Sequence, residues 1–143
     1  MRRLLAGFSA VAAMSLSSAV WAEESRPPEG IQALGAGDAV AACYVDTSAW
    51  EVLMPGSCFS MASPYTTQVV FGVQGIDQSG GRYVVQFLDG TCESTGYTLD
   101  EGNICLRTIR HYQTLSQRVQ VYDTWTGQWS GILTAEASYE GFN

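Results

Sequence analysis

An all-β domain, an antiparallel sandwich of six to eight short strands held by two disulfides, is the fold class the sequence predicts. Three observations predict it. Several stretches alternate apolar and polar residues with a period of two, as half-buried antiparallel strands do. Clusters of Gly, Pro, Asp and Ser punctuate them at intervals of about 8–12 residues. Cys43, Cys58, Cys92 and Cys105 form an even set in a chain whose start reads as an export signal.

That signal occupies residues 1–22. Arg2 and Arg3 give a positive start, Leu4 to Val20 is a mostly apolar uncharged run, and Val20-Trp21-Ala22 offers the small residue that a signal peptidase needs. The run is about 17 residues, short for a membrane span, and no cationic stop-transfer cluster follows it. Cleavage after Ala22 is therefore expected, with a periplasmic or secreted location and no membrane attachment afterwards; an uncleaved anchor is the alternative. The mature chain, Glu23–Asn143, is one domain able to bury a core. It holds all 14 acidic residues, five Arg and no Lys, a net charge of 5 − 14 = −9. Such a chain is repelled by nucleic acid and by anionic lipid, while a cationic protein or a carbohydrate is permitted as partner.

The cysteines lack metal-ligand spacing. Their gaps are 15, 34 and 13, and the only histidine is His111. No metal and no cofactor is expected. Three pairings are possible; the sequential one, Cys43–Cys58 and Cys92–Cys105, closes two short loops and is the expectation, each loop contributing ~3 kcal/mol.

Residues 23–38 have two Pro, three Gly and no periodicity, and read as a flexible entry segment before a sandwich domain over 39–143. Ala41–Val45 and Cys58–Met61 are short strand candidates with a turn at Pro55-Gly56. Thr67–Val73 places Val69, Phe71 and Val73 on one face, with Val70 breaking the alternation. Arg82–Leu88 places Tyr83, Val85 and Phe87 on one face. The Gly-rich segment 75–81 between these two runs predicts a hairpin. A second hairpin is expected around Asp123–Gln128, with Val119 and Val121 before it. After it Trp129, Leu133, Ala135, Ala137 and Tyr139 share a face, with Ile132 the exception. Between Cys92 and Gln117 the pattern stays open. Ile104-Cys105-Leu106 suits a strand, whereas Leu106, Ile109, Tyr112 and Leu115 at spacings of three suit a short helix capped by Asp100 or Asn103. Val69, Phe71, Val73, Tyr83, Val85, Phe87, Val119, Val121 and Leu133 are expected to line one core.

An N-terminal Cys strand, "TTQVVFGVQGI", "GRYVVQFLDG" and "QRVQVYDTWTGQWSGILTAEASY" together resemble bacterial extracellular immunoglobulin-like and PKD-like domains over about 75 residues. The likeness implies B and C strands followed by a closing F–G hairpin, and a binding or spacer role without catalysis. The departures are the four cysteines and the missing tryptophan of the C strand, where Phe87 is the candidate stand-in.

Catalytic chemistry finds little support. There is one His, no Gly-x-Ser-x-Gly elbow, and no free odd Cys. Asp89, Asp100 and Glu101 lie in loops where a carboxyl pair for glycoside cleavage, or with Asn103 a calcium site, is conceivable, but no ordered D-x-D-x-D spacing supports either. Two features point to binding. Arg107, Arg110, His111 and Arg118 form a basic island on an acidic chain, suited to an anionic group or to internal pairing. Tyr122, Trp125 and Trp129 cluster about the last hairpin, suited to a sugar ring or a protein interface, or else to the core. The string "SGGRY" (Ser79–Tyr83) also resembles the SGxxY-like string of periplasmic inhibitors of c-type lysozyme. That resemblance carries Ser79 over as a residue entering the enzyme cleft; the partnering Lys of that family is lacking here.

The expected function is a non-enzymatic exported β-sandwich acting as a binding or structural module for a protein or carbohydrate. The alternative is an inhibitor or immunity protein that blocks a cationic cell-wall hydrolase such as a lysozyme. A small hydrolase is the third reading.

Overall fold

The computed structural model describes residues 36–47 and 51–142. The expected signal peptide and residues 23–35 of the entry segment lie outside the described residues. A 3-10 turn, Ala36–Asp38, leads into ten strands: β1 (Val40–Val45), β2 (Met54–Pro55), β3 (Ser57–Met61), β4 (Thr66–Gln74), β5 (Tyr83–Phe87), β6 (Ser94–Thr98), β7 (Gly102–Arg110), β8 (Gln113–Asp123), β9 (Gln128–Trp129) and β10 (Leu133–Glu140). They form two sheets, ordered β2–β1–β4–β7–β6 and β3–β10–β8–β5, with β9 paired to β8. The strand order β1–β4–β7–β6 facing β10–β8–β5 is that of an immunoglobulin sandwich, ABED against GFC. Topology of this kind recurs on unrelated sequences and assigns no family.

The alternation read from the sequence builds the core. Val69, Phe71, Val73, Tyr83, Val119 and Val121 are buried between the sheets, and Val85, Phe87 and Leu133 pack against them half-buried. Register sets Cys43, Phe71 and Cys105 side by side across β1, β4 and β7. The disulfides are Cys43–Cys58 and Cys92–Cys105, the sequential pairing. The first ties β1 of one sheet to β3 of the other; the second ties β7 to the segment before β6. Gln117, buried on the same parity, is fully bonded. Its Nε2 donates to the Leu88 and Arg118 carbonyls, and its Oε1 accepts from Thr91 and Arg107.

Val70, the break in the β4 pattern, faces the outside of its sheet and meets a second small cluster. Leu53 folds over Ala42 and Val70, with Tyr44, Ile104 and Leu106 around them. Both faces of β4 are therefore covered, and a strand covered on both faces does not alternate.

Several expectations are corrected. The β4 and β5 runs do not form a hairpin. β4 pairs with β1 and β7, β5 pairs with β8, and segment 75–82 crosses between sheets. Eight residues are more than a hairpin loop commonly uses, and both edges of β4 are already taken. The sandwich is not wholly antiparallel, since β3 runs parallel to β10. The stretch after Cys92, left open between strand and helix, forms β6, β7 and β8, with turns over 99–101 and at His111-Tyr112, where Tyr112 has φ of 64°. Leu106 faces the small cluster while Ile109 and Leu115 face the main core, so the spacing of three does not describe one helical face. Trp129 does not share a face with Leu133. The chain kinks at Ser130–Ile132, and Ser130 turns inward, its Oγ accepting from the Val121 N–H.

Candidate functional site

Three loops meet at one end of the sandwich: the β1–β2 segment, the β4–β5 crossing and the β6–β7 turn. Between them lies a groove of about 820 Å3. The β4–β5 crossing is anchored by Gln78. Its Oε1 accepts from the Asn103 backbone N–H and side-chain amide, both at 2.9 Å, and its Nε2 donates to the Val73 carbonyl. The Gln78 amide lies where a Cβ on Gly102 would sit, 2.4 Å away, and Gly102 has φ of 75°. Only glycine satisfies both conditions. The β6–β7 turn is closed by the Glu101 N–H donating to Thr98 Oγ1 at 2.9 Å.

Among the described residues, four carboxylates line this groove, Glu51, Asp77, Asp100 and Glu101, and no basic residue does. Asp77 accepts from the Ser79 backbone N–H and Oγ at 2.9 and 2.6 Å. The Ser79 bonds hold its carboxyl below the usual range, so it is ionised at neutral pH. Burial pushes the Tyr44 phenol up, helped by its hydrogen bond to Glu101 and by the charges of Glu101, Glu51 and Asp46. The phenol is therefore a hydrogen-bond donor at any physiological pH. Apolar surface accompanies the charge. Leu99, at the tip of the β6–β7 turn, is 92% exposed, and Val52 and Tyr97 are also exposed. Chemically, such a groove suits a cationic side chain carried on a partly apolar segment.

The aromatic residues expected about the last hairpin divide into two groups. Tyr122 and Trp129 stack at 5.0 Å, and Trp129 is 50% exposed. Trp125, 43% exposed, lies instead over the Arg82 guanidinium at 4.1 Å. Arg82 forms a two-pronged pair with Asp123, Nε to Oδ1 at 2.9 Å and Nη2 to Oδ2 at 2.8 Å, and Asp123 is only 2% exposed. Asp123 also accepts from the Trp125 N–H. The Arg82 hydrogen bonds hold the Asp123 carboxyl below the usual range against its burial.

The residues of the basic island have separate partners. Arg107 donates to the Ser116 carbonyl and to Gln117. Arg118 pairs with Asp89, and Arg110 is exposed. His111 donates through Nε2 to the Ala62 carbonyl at 2.9 Å and packs among Tyr65, Tyr112 and Tyr139. Asp89, paired with Arg118, does not line the groove that holds Asp100 and Glu101. Among the described residues no group of three or more His, Cys, Asp or Glu is placed to hold a metal ion.

Comparison with protein-family models, curated proteins and solved structures finds no match. Tyr44, Glu51, Val52, Tyr97 and Leu99 belong to the groove but were not legible as site residues. The one local signal was Leu99, an apolar residue set before two acids in a turn, where no core is available to it.

Proposed function

We propose that this chain is an exported, non-catalytic binding domain that takes a cationic segment of another protein into the acidic groove. The observation that carries the reading is the charge at that end: four carboxylates and an exposed Leu99, with no basic lining residue among the described residues. Export is supported by two disulfides and by the signal-like start. The exported protein is expected to begin at Glu23 on N-terminal sequencing; a retained Met1 in the membrane fraction would overturn cleavage.

A second reading has one specific observation in its favour. Ser79, the residue that the lysozyme-inhibitor resemblance carries over, lines this same groove. Calorimetry against a c-type lysozyme, a cationic protein, tests both. The triple variant Asp77→Asn, Asp100→Asn, Glu101→Gln is expected to bind roughly tenfold more weakly and with a smaller salt dependence. Unchanged affinity and salt slope would sink the groove as the docking surface. Binding that leaves lysozyme activity intact favours a binding module, and binding that abolishes it favours the inhibitor.

A further inference from the structure

Among the described residues, sheet order leaves β3 at an edge, with β10 on one side and no strand on the other. The Glu136 N–H donates to the Gly56 carbonyl at 3.0 Å, and the Ala62 N–H donates to the Glu140 carbonyl at 3.1 Å. In a parallel ladder alternate residues face the neighbour. Residues 56, 58, 60 and 62 therefore face β10, and Ser57, Phe59 and Met61 turn their N–H and C=O groups outward. Edges are ordinarily blunted by charge, by proline or by brevity. β2, at the edge of the other sheet, is two residues long and contains Pro55. β3 has five residues, Ser57-Cys58-Phe59-Ser60-Met61, with neither charge nor proline. Phe59 is 59% exposed. Beside it runs a groove of about 730 Å3, between β3 and Tyr44, Val52 and Met54, whose one charged lining residue among the described residues is Glu136.

We propose that this edge receives an extended cationic segment of a partner protein as an added strand. Its backbone would bond Ser57, Phe59 and Met61, its apolar side chains would lie on Phe59 and Met54, and its Lys or Arg residues would face Glu136 and Glu140. Charge chooses this occupant over a second copy of the chain, because a copy brings the same formal charge of −7. Glu136 enters neither of the two ion pairs among the described residues, Arg82–Asp123 and Arg118–Asp89. The inference shares with the function proposed above the sign of the partner's charge and the two residues Tyr44 and Val52. Tyr44 and Val52 line both grooves, so one segment can reach from the edge toward the acidic end.

The test uses the mature protein and a blocked peptide of alternating Lys and Val, seven residues long, followed by amide hydrogen exchange. Saturating peptide is expected to slow exchange at the Phe59 and Met61 amides at least tenfold. Cys58 and Ser60, already bonded to β10, should change little. Phe59→Pro removes an N–H that makes no ladder bond, so the fold should persist by circular dichroism while peptide affinity falls at least tenfold. Peptide binding with no added protection at Phe59 and Met61 overturns the edge proposal and leaves the acidic groove to be judged by its own triple variant. Absence of peptide binding overturns it too, as does protein dimerisation through β3 in place of peptide capture. Should Phe59→Pro fail to fold, the exchange measurement on the unaltered protein decides.

Discussion

At the scale of single residues, the strongest polar contact is one that a turn motif cannot reveal. Asp123 was legible as the start of a turn closed by Gly127, and Trp125 as an aromatic in that turn. Arg82, which binds Asp123 and lies beneath Trp125, is 41 positions away. Asp123 is buried, so removing it strands the Arg82 guanidinium, and Asp123→Ala is expected to cost about 3–5 kcal/mol by urea denaturation. The pair also confers a pH dependence. The folded carboxyl titrates below its unfolded value of about 3.9. Its stabilisation is therefore complete above that value and is lost as pH falls through the lower folded value. Asp123→Asn should flatten the acid limb of the stability profile below about pH 4; an unchanged limb would place the acid transition elsewhere. Trp125→Ala removes one ring face from Arg82 and leaves the backbone bond to Asp123 in place. It should cost about 1 kcal/mol, not unfold the domain. Global unfolding of that variant would make Trp125 a core residue.

At the scale of elements, strands were legible and their partners were not. Parity along β4, β5 and β8 named the inward residues correctly, because side chains alternate whatever the neighbouring strand is. The hairpin drawn between β4 and β5 failed because local sequence does not say which edges are already occupied. Leu53 shows the same limit. Nothing near it in sequence announces that it folds onto Val70 and Ala42, and the room it needs is left by Gly72, where an added Cβ would lie 3.1 Å from a Leu53 methyl. The two clusters should respond differently to truncation. Phe71→Ala empties the centre of the main core, flanked by Cys43 and Cys105, and is expected to cost about 3–5 kcal/mol. Leu53→Ala opens a small cluster near the surface and should cost about 2 kcal/mol, at the low end for such a change. Equal shifts in the unfolding midpoint would contradict the division into a main and a minor core. Non-reducing peptide mapping should return Cys43–Cys58 and Cys92–Cys105 and no crossed pair.

At the scale of the molecule, the distribution of charge matters more than its sum. Among the described residues the acidic groove holds four carboxylates and no base, while Arg107, Arg110 and Arg118 lie on β7 and β8. Association with a cationic partner should therefore slow steeply with added salt, and neutralising the groove should reduce that slope, as read by stopped-flow at several ionic strengths. Neutralising Asp89, which lines no part of the groove and is paired with Arg118, should leave the slope nearly unchanged. An equal effect from both sites would mean that only net charge matters.

The fold class, the two-disulfide staple and the inward-facing residues followed from sequence alone, because period-two alternation and cysteine parity are properties of neighbours along the chain. The acidic character was equally plain, since composition needs no coordinates. The site depended on the tertiary structure. Its carboxylates come from residues 51, 77, 100 and 101, on three separate loops, and they meet because segment 75–82 crosses from β4 to the opposite sheet and Gln78 pins that crossing against Gly102. Arg82, at the end of that crossing, lies against Trp125, while Trp129, four positions on, packs on Tyr122. Which loops meet and which edges stay open is settled by pairing between distant strands, and no short-range pattern encodes that choice.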